Sequence, residues 1–321
     1  MNDPADQVIE TADQKIWLRE YKASTGLSWA EIGKRIGVPT GTISQFASER
    51  GYAGDEQKIA DTVWRYRQLL ATQAQLKIEA PQIPGYFQTE TSQYLEHMLS
   101  WAQRGRIVCA AMGAGTSKTA TAKQFAACYP NVFHIEMRRS LGLMNPMLVG
   151  VLDRMGQKNE AGRSHRLSRM IMDRVKDLEK PLIIIDEAQH LEEESIEEIR
   201  AWNDEVGVGI ALFGNVKVMQ TLEGGGRGSA YAQMFSRLSL KLVRILPTLR
   251  DAEALCDAWH IHDEAVAAFL LKIARVPGGL RGATMALELA TMLARGDRSD
   301  EIGINHLQDA WAQLSSRAVN Q

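Results

Sequence analysis

The chain has 321 residues, of which 37 are Lys or Arg and 39 are Asp or Glu, so its formal net charge is −2. At about 100–200 residues per domain, this length allows two or three domains with enough chain to bury a sizeable core. The balanced charge excludes a uniformly basic protein that wraps nucleic acid. It still allows DNA binding through a local patch.

The cysteines and the hydropathy narrow the class of protein further. Cys109, Cys128 and Cys256 have no paired spacing, and the histidines lack the spacing of a metal-ligand set, so we expect buried thiols without disulfides or zinc. The mean hydropathy is −0.22, and no apolar run reaches the roughly 18 residues that a membrane span needs. Residues 1–6 do not resemble a signal peptide. We therefore expect a cytoplasmic protein with no membrane association.

The residue pattern divides the chain into four segments. Residues 1–75 contain short helical patterns, and residues 76–85 are predicted to form a linker because Pro81 and Pro84 discourage helix. In residues 86–246, apolar runs alternate with helical patterns, which is typical of a parallel α/β layer. These runs are continuously apolar and predict strands covered on both faces, at residues 106–111, 131–135, 181–186, 208–213 and 238–245. Residues 247–321 are rich in Ala and Leu at helical spacing.

The amino-terminal segment has the spacing of a helix-turn-helix. Ser28 followed by Glu31 predicts a capping box, Ala30 is small where two helices are expected to cross, and Gly37 lies in the predicted turn. Thr40 would begin the second helix and expose polar side chains to DNA near its start, namely those of Thr42, Ser44 and Gln45. The alternative is a small helical bundle that contacts proteins.

A glycine-containing segment after the first predicted strand has the features of a phosphate-binding loop. Its residues are Met112, Gly113, Ala114, Gly115, Thr116, Ser117, Lys118 and Thr119. The glycines would let backbone N–H groups approach phosphate oxygens, Lys118 would contact the β- and γ-phosphates, and the Thr119 hydroxyl would bind Mg²⁺. The pattern G-x-x-x-x-G-K-[ST] departs at Met112 and Ser117, and the Cβ of Ser117 is expected to crowd the phosphates. The alternative is a strand-to-helix turn that binds nothing.

Two carboxylates end a later apolar run and support the nucleotide interpretation. Asp186 could orient Mg²⁺ through water, and Glu187 could polarise an attacking water molecule. Asn215 follows the next run, where its amide could hold that water, although Asn after Gly214 is also ordinary turn chemistry.

In this order, the motifs resemble those of the AAA+ ATPases of DNA transposition, most of all the B-protein family of Mu-like transposing bacteriophages, with IstB-type and TniB-type helpers more distant. The segments that carry the resemblance are residues 41–44, 184–188, 224–227, 235–237 and 277–281. The resemblance implies an α/β AAA+ P-loop ATPase fold, with a parallel sheet in residues 86–246 and a helical lid in residues 247–321. The resemblance also implies that an all-α helix-turn-helix domain precedes this fold.

The resemblance also implies roles for individual residues. Lys118, Thr119, Asp186 and Glu187 would be the Walker A and Walker B groups, and Asn215 a sensor-1 residue. Arg237 would reach the γ-phosphate of a neighbouring subunit as a finger, with Arg227 as the competing candidate, and Arg281 would occupy the sensor-2 position. For each arginine, the alternative is a solvated or ion-paired surface residue.

Relatives of this type assemble with ATP into filaments on double-stranded DNA, which implies a homo-oligomer, either a helical filament or a ring, with DNA and a transposase as partners. The candidate DNA contacts in the ATPase are Arg138, Arg139, Arg163 and Arg166. Repetition along a filament gives avidity, so a net acidic subunit can still hold DNA. A solvated helix face is the alternative.

The function that follows is an ATP- and Mg²⁺-dependent DNA-binding ATPase. It would select target DNA with little sequence preference, activate a DDE transposase, and be released by hydrolysis, with turnover slowed by the atypical loop. One alternative is a helix-turn-helix transcription regulator in which the ATPase fold is an oligomerisation switch. The other, based on Ser117, is a scaffold that does not respond to nucleotide.

Overall fold

The computed structural model describes residues 9–48, 51–79, 84–224 and 229–315 of the chain. The chain divides between residues 80 and 81 into two compact units. Within the described residues, no helix combines the length and the apolar character that crossing a membrane requires.

The first unit is helical and has its own apolar core. Its helices are α1 (Thr11–Thr25), α2 (Trp29–Ile36), α3 (Thr40–Ala47) and α4 (Glu56–Glu79). Each helix contributes side chains to one buried cluster, among them Leu18, Ile32, Phe46 and Val63. A pair of short helices therefore occupies the positions that the helix-turn-helix pattern predicts, with a longer helix before it and another after it in the chain.

Helix α2 begins with a cap and packs closely against the turn that leads to α3. The predicted capping box is confirmed: Ser28 Oγ accepts from the Glu31 N–H at 3.3 Å, and Glu31 Oε2 accepts from the Ser28 N–H at 2.9 Å. The expected role of Ala30 is wrong, because Ala30 is exposed. The close approach occurs at Gly33, where a Cβ would lie 2.6 Å from the Val38 carbonyl oxygen.

Helix α4 continues through residues 76–79, which were expected to belong to a non-helical linker. A proline restricts its own φ angle and the residue before it, so Pro81 does not prevent helix as far as Glu79. The expectation extended the influence of the prolines too far toward the amino terminus.

The second unit contains a parallel sheet and eleven helices within its described residues. The strands are β1 (Ile107–Met112), β2 (Val132–Glu136), β3 (Leu182–Asp186), β4 (Gly209–Gly214) and β5 (Leu238–Arg244). The helices are α5 (Glu90–Ala102), α6 (Lys118–Cys128), α7 (Met144–Arg154), α8 (Ser164–Lys176), α9 (Glu193–Val206), α10 (Val216–Gly224), α11 (Ala230–Arg237), α12 (Leu249–Ala258), α13 (Glu264–Ala274), α14 (Gly279–Gly296) and α15 (Ile304–Leu314).

The strand order across the sheet is β2-β3-β4-β1-β5, and every pair is parallel. Strand β4 lies between β1 and β3, with Ile107 opposite Ile210 on one side and Ile183 opposite Ile210 on the other. The carboxyl ends of these three strands therefore meet at one edge of the sheet, where ligands of open α/β sheets bind.

Helices cover both faces of the central strands. Alternate residues of β1, β3 and β4 belong to two separate buried clusters, one shared with α7 to α10 and the other with α5 and α6. The prediction of strands covered on both faces is confirmed for these three strands, which are completely buried.

That prediction is wrong for the two edge strands. Strand β5 alternates between covered and exposed residues, and most of β2 is only half-buried. An edge strand has a neighbour on one side only, so its apolar residues are covered less completely.

The expectation of buried thiols also fails at one position. Cys128 is exposed at the end of α6, whereas burial raises the pKa of Cys109 to about 12.

Helices α12 to α15 form a helical lid around their own buried cluster, which includes Val266, Leu270 and Leu287. The lid is joined to the sheet layer through Asp251, whose side chain has no exposed surface. Asp251 accepts hydrogen bonds from the backbone N–H of Thr91 in α5 at 2.8 Å and from that of Thr248 at 2.8 Å, and it also accepts from the Thr91 hydroxyl. Burial raises the pKa of Asp251, but these hydrogen bonds outweigh burial, so the pKa lies below its ordinary value.

We expect Asp251→Asn to lower the free energy of unfolding by about 1–3 kcal/mol, because an amide cannot accept all the hydrogen bonds that the buried carboxylate accepts. A carboxyl group with a depressed pKa stabilises the fold above its unfolded pKa of about 3.9, and this stabilisation is lost as pH falls through the folded pKa. The difference between wild type and variant should therefore shrink below about pH 4. Urea denaturation at several pH values measures it, with the exposed Glu253→Gln of the same helix as control. A difference that stays constant down to pH 3 would contradict the prediction.

Candidate functional site

The loop between β1 and α6 touches two other backbone segments, which explains its glycines. A Cβ at Gly113 would lie 1.9 Å from the Ile245 carbonyl oxygen, and a Cβ at Gly115 would lie 1.9 Å from the Gly278 carbonyl oxygen. Gly115 also has a φ of +73° and accepts a 2.9 Å hydrogen bond from the Leu280 N–H at the start of the lid helix α14. Any side chain at these positions would displace backbone, so glycine is required.

The two departures from the common loop pattern have different structural outcomes. Met112 is 1% exposed and packs into the core beneath the sheet, so its side chain points away from the loop. Ser117 has a φ of 64°, a left-handed conformation that glycine adopts more readily. The carbonyl of Ser117 accepts from both the backbone N–H and the hydroxyl of Thr121, which holds this conformation at the start of α6.

The loop and the end of β3 meet around Asp186, which is completely buried. Thr119 Oγ1 donates to Asp186 Oδ2 at 2.6 Å, the Glu187 N–H donates to Asp186 Oδ1 at 2.9 Å, and Lys118 Nζ lies 3.5 Å from Asp186 Oδ1. His134 Nε2 is 3.8 Å from Asp186 Oδ2, too long for a hydrogen bond but close enough for its ring dipole to act. Burial raises the pKa of Asp186, but His134, Thr119 and Lys118 outweigh it and hold the pKa below its ordinary value.

Glu187 follows Asp186 in a left-handed conformation, with a φ of 56°. Its Oε1 accepts from Lys118 Nζ at 3.0 Å, and its Oε2 accepts from the Gln189 side-chain amide. The predicted loop residues Lys118 and Thr119 and the predicted carboxylates Asp186 and Glu187 are thus brought into direct contact. In such a group, the Lys118 ammonium can hold an anion, and the Glu187 carboxylate beside it can take up a proton.

A cavity of about 270 Å³ opens above this group. Residues 113–120 and Glu187 line it, and so do residues of the lid, among them Arg281. The predicted candidate Arg281 therefore lies at the phosphate loop. Phe87 and Thr284 also line the cavity and were missed by sequence reasoning, because neither belongs to a motif.

Two predicted residues make the contacts that their alternative interpretations describe. Asn215 Oδ1 accepts from the Lys217 N–H at 2.9 Å, which is ordinary turn chemistry at the start of α10, and Asn215 is not among the residues lining the cavity. Arg237, half-exposed at the end of α11, pairs with Asp204 of α9. The competing finger candidate, Arg227, lies outside the described residues.

One of the four predicted DNA contacts of the second unit lines a groove, and the other three lie outside its lining. Arg138, Arg139, Arg163 and Arg166 are all exposed. Arg138 lines a cavity of about 800 Å³ together with Asn145, Arg154 and Lys158, and Asn145 hydrogen-bonds to Gly162 and Ser164 beside the other candidate arginines. Sequence reasoning missed Arg154 and Lys158, because neither belongs to a cluster of basic residues in the chain.

In the first unit, one candidate DNA contact lies on the face of α3 opposite its buried residues, and the other two flank the buried face. Ile43 and Phe46 point into the core, whereas Gln45 is exposed and Thr42 and Ser44 are half-buried. The Ser44 hydroxyl donates to the Gly41 carbonyl within the helix.

A phosphate loop backed by a buried strand-end carboxylate, on a parallel sheet that carries a helical lid, defines an α/β P-loop ATPase fold of the AAA+ type. Residues 102–222 match the model of an AAA domain, and residues 236–314 match that of the Mu B transposition protein, C terminal. Two solved structures share the fold: the Aeropyrum pernix ORC2 protein with ADPNP and ADP, and the Aeropyrum pernix ORC1 protein in complex with DNA. The ORC2 structure has a TM-score of 0.56 at 14% identity and covers 72% of this chain and 69% of the solved chain. The ORC1 structure has a TM-score of 0.54 at 17% identity and covers 72% of this chain and 67% of the solved chain.

Relatives that match over most of the chain narrow the class to one family. The Mu-like prophage FluMu DNA transposition protein B of Haemophilus influenzae is 30% identical over 268 residues, which are 82% of this chain and 91% of that protein. The ATP-dependent target DNA activator B of Escherichia phage Mu is 28% identical over 307 residues, 95% of this chain and 96% of that protein. The chain belongs to the family of the DNA transposition proteins B of Mu-like phages.

We expect Gly115→Ala to lower the free energy of unfolding by roughly 2–4 kcal/mol, since the methyl group must push the Gly278 backbone away and sit at a positive φ. The variant should also lose nucleotide binding, because the loop cannot keep its place against the lid. Gly296→Ala is the matched control, because a Cβ there meets nothing within 4 Å. Thermal denaturation and binding of a fluorescent ATP analogue measure both effects. Unchanged stability and binding in Gly115→Ala would refute the close approach.

Proposed function

We propose that this protein is an ATP-hydrolysing activator of target DNA in transposition. The observation that carries the proposal is the contact of Lys118 and Thr119 with Asp186 and Glu187 at one edge of the sheet. Family membership supports it, because the relative from phage Mu is named an ATP-dependent target DNA activator.

The residues of the site fit a nucleotide with Mg²⁺. Backbone N–H groups at the start of α6 favour phosphate, and the Thr119 hydroxyl and the Asp186 carboxylate are oxygen donors of the kind that Mg²⁺ prefers. The metal would supply positive charge against the phosphate oxygens. The low pKa of Asp186 keeps this carboxylate ionised for that role.

In the proposed hydrolysis, Lys118 binds the β- and γ-phosphates and Glu187 takes a proton from the attacking water molecule. Arg281 contacts the phosphates from the lid, and Asn215 orients the water from the end of β4. Ser117 is the reason to propose slow turnover, because a Cβ in left-handed backbone limits how the loop can adjust around the phosphates.

We propose that the active form is a homo-oligomer, a filament on DNA, in which Arg237 acts on the nucleotide of the neighbouring subunit. The Arg237 side chain is 50% exposed, and exposed ion pairs contribute only about 0–1 kcal/mol, so its pair with Asp204 can be exchanged for a phosphate. An arginine supplied by a neighbour makes hydrolysis depend on assembly. Hydrolysis would then release the protein from DNA, after it has recruited and activated a DDE transposase.

Double-stranded DNA is the proposed ligand of the groove that contains Arg138, Arg154 and Lys158. The groove also contains Glu136 and Asp153, so its net positive charge in one subunit is small. Repetition along a filament multiplies such weak contacts, and contacts with phosphates give little sequence preference. Arg139, Arg163 and Arg166 would extend this surface, and Thr42, Ser44 and Gln45 would add contacts from the first unit.

The experiment that tests the proposal is the binding of random-sequence duplex DNA with ATP, with ADP and without nucleotide. We expect cooperative binding by the wild type that is about 5–150-fold tighter with ATP, and loss of this difference in Lys118→Ala. Linkage requires DNA to tighten ATP binding by the same factor. The control is Lys123→Ala, which removes an exposed lysine of the same helix. Binding that is indifferent to nucleotide and to Lys118 would overturn the proposal.

A second prediction concerns the groove. Arg154→Ala and Lys158→Ala should each weaken DNA binding to a similar extent for all sequences and reduce the slope of log K against log salt concentration by about 1. Anisotropy titrations at several salt concentrations measure the slope, with the exposed Lys272→Ala of the lid as control. Slopes equal to that of the wild type would exclude these side chains as phosphate contacts.

A further inference from the structure

Gln189 lies beside the two Walker B residues and links them to the next strand. It belongs to a single 3-10 turn, Ala188–His190, that follows Glu187. Its side-chain amide has two partners: Nε2 donates to Glu187 Oε2, and Oε1 accepts from the Asn215 N–H at 3.2 Å. One side chain therefore joins the carboxylate at the end of β3 to the backbone at the end of β4.

The end of β4 is shaped to admit this side chain. A Cβ at Gly214 would lie 2.5 Å from Gln189 Oε1 and 2.4 Å from Val218 Cγ2. Only a residue without a Cβ lets the Gln189 amide reach the Asn215 N–H. Gly214 precedes Asn215, and the sequence pattern alone indicates only a turn there. The position of Gln189 explains why residue 214 is a glycine.

The contact with Gln189 is the one that can persist during hydrolysis. Glu187 has two side-chain partners among the described residues, Lys118 and Gln189. The proposed function assigns Lys118 to the phosphates, which draws its ammonium group away from Glu187. A neutral amide donor fixes the orientation of the Glu187 carboxylate without adding a positive charge, which would make the carboxylate a weaker proton acceptor.

We propose that Gln189 is a positioning residue, which orients the Glu187 carboxylate and couples it to Asn215 at the end of β4. This inference rests on the proposed ATPase function. Because a group misplaced by about 1 Å can cost as much as 100-fold in rate, the loss of Gln189 should affect the chemical step more than nucleotide binding.

Two substitutions separate the two contacts of the amide. Gln189→Met has a similar length and makes neither hydrogen bond. Gln189→Glu can still accept from the Asn215 N–H, but it places a negative charge beside Glu187 in place of the donor. The exposed Gln220→Met in α10 is the matched control.

The readouts are kcat for ATP hydrolysis with saturating ATP and duplex DNA, Kd for a non-hydrolysable ATP analogue, and the melting temperature. For Gln189→Met we expect kcat to fall about 10–100-fold, with Kd within about twofold and the melting temperature within about 2 °C of wild type. We expect Gln189→Glu to lose at least as much in kcat, and Gln220→Met to match the wild type.

The possible results distinguish this inference from the proposed function. Wild-type turnover in Gln189→Met or in Gln189→Glu would overturn the positioning role while leaving the ATPase function intact. A parallel loss of kcat, analogue binding and melting temperature would also overturn it, since that is the result of a purely structural role. A wild-type protein that binds DNA but does not hydrolyse ATP would instead overturn the proposed ATPase.

Discussion

Asp186 is a carboxylate with no exposed surface, and the arrangement of the nucleotide site depends on how this buried charge is compensated. A buried charge is tolerated only where hydrogen bonds and opposite charges replace water. Here they come from the Thr119 hydroxyl, the Lys118 ammonium and the Glu187 backbone N–H. Thr119 and Lys118 belong to the first turn of α6, so the compensation of Asp186 fixes that turn against β3, although β4 separates β3 from β1 in the sheet. Two of these donors, Thr119 and Lys118, are also the groups that a metal ion and a phosphate would use.

The second constraint joins this site to the lid. The loop contacts the lid through backbone atoms, with the Leu280 N–H bound to the Gly115 carbonyl and Gly278 against the Cα of Gly115. Backbone atoms cannot move aside as a flexible side chain does, so a shift of the loop around phosphates must be transmitted to α14. Asp251 joins the other end of the lid to α5 through buried hydrogen bonds. Within the described residues, both the backbone at the start of α14 and the Asp251 side chain tie the lid to the ATPase core, and Arg281 lies beside the contact with the loop.

The sequence was sufficient to predict the alternating α/β layer, the helical lid and the contact between the loop and the carboxylates, because those features follow from local patterns and from the order of elements. It did not identify Gln189, because the significance of that side chain depends on Gly214 and Asn215, which the sheet brings to it from another strand. Phe87 was missed for the same reason, since it precedes α5, away from the loop in the chain, and lines the cavity together with lid residues. The exposure of the edge strands was also missed, because strand order is not encoded in the composition of a single strand.

Two residues other than glycine have left-handed backbone at the site, Ser117 with a φ of 64° and Glu187 with a φ of 56°. Such conformations cost of order 1–3 kcal/mol each and persist only where neighbouring contacts hold them. Thr121 holds the carbonyl of Ser117, and the Glu187 N–H is held by Asp186. The strain at Glu187 turns its side chain away from the direction of β3 and toward Lys118. A glycine could adopt the same backbone but would lack the carboxylate, so strain at this position is inseparable from the chemistry that we propose for it.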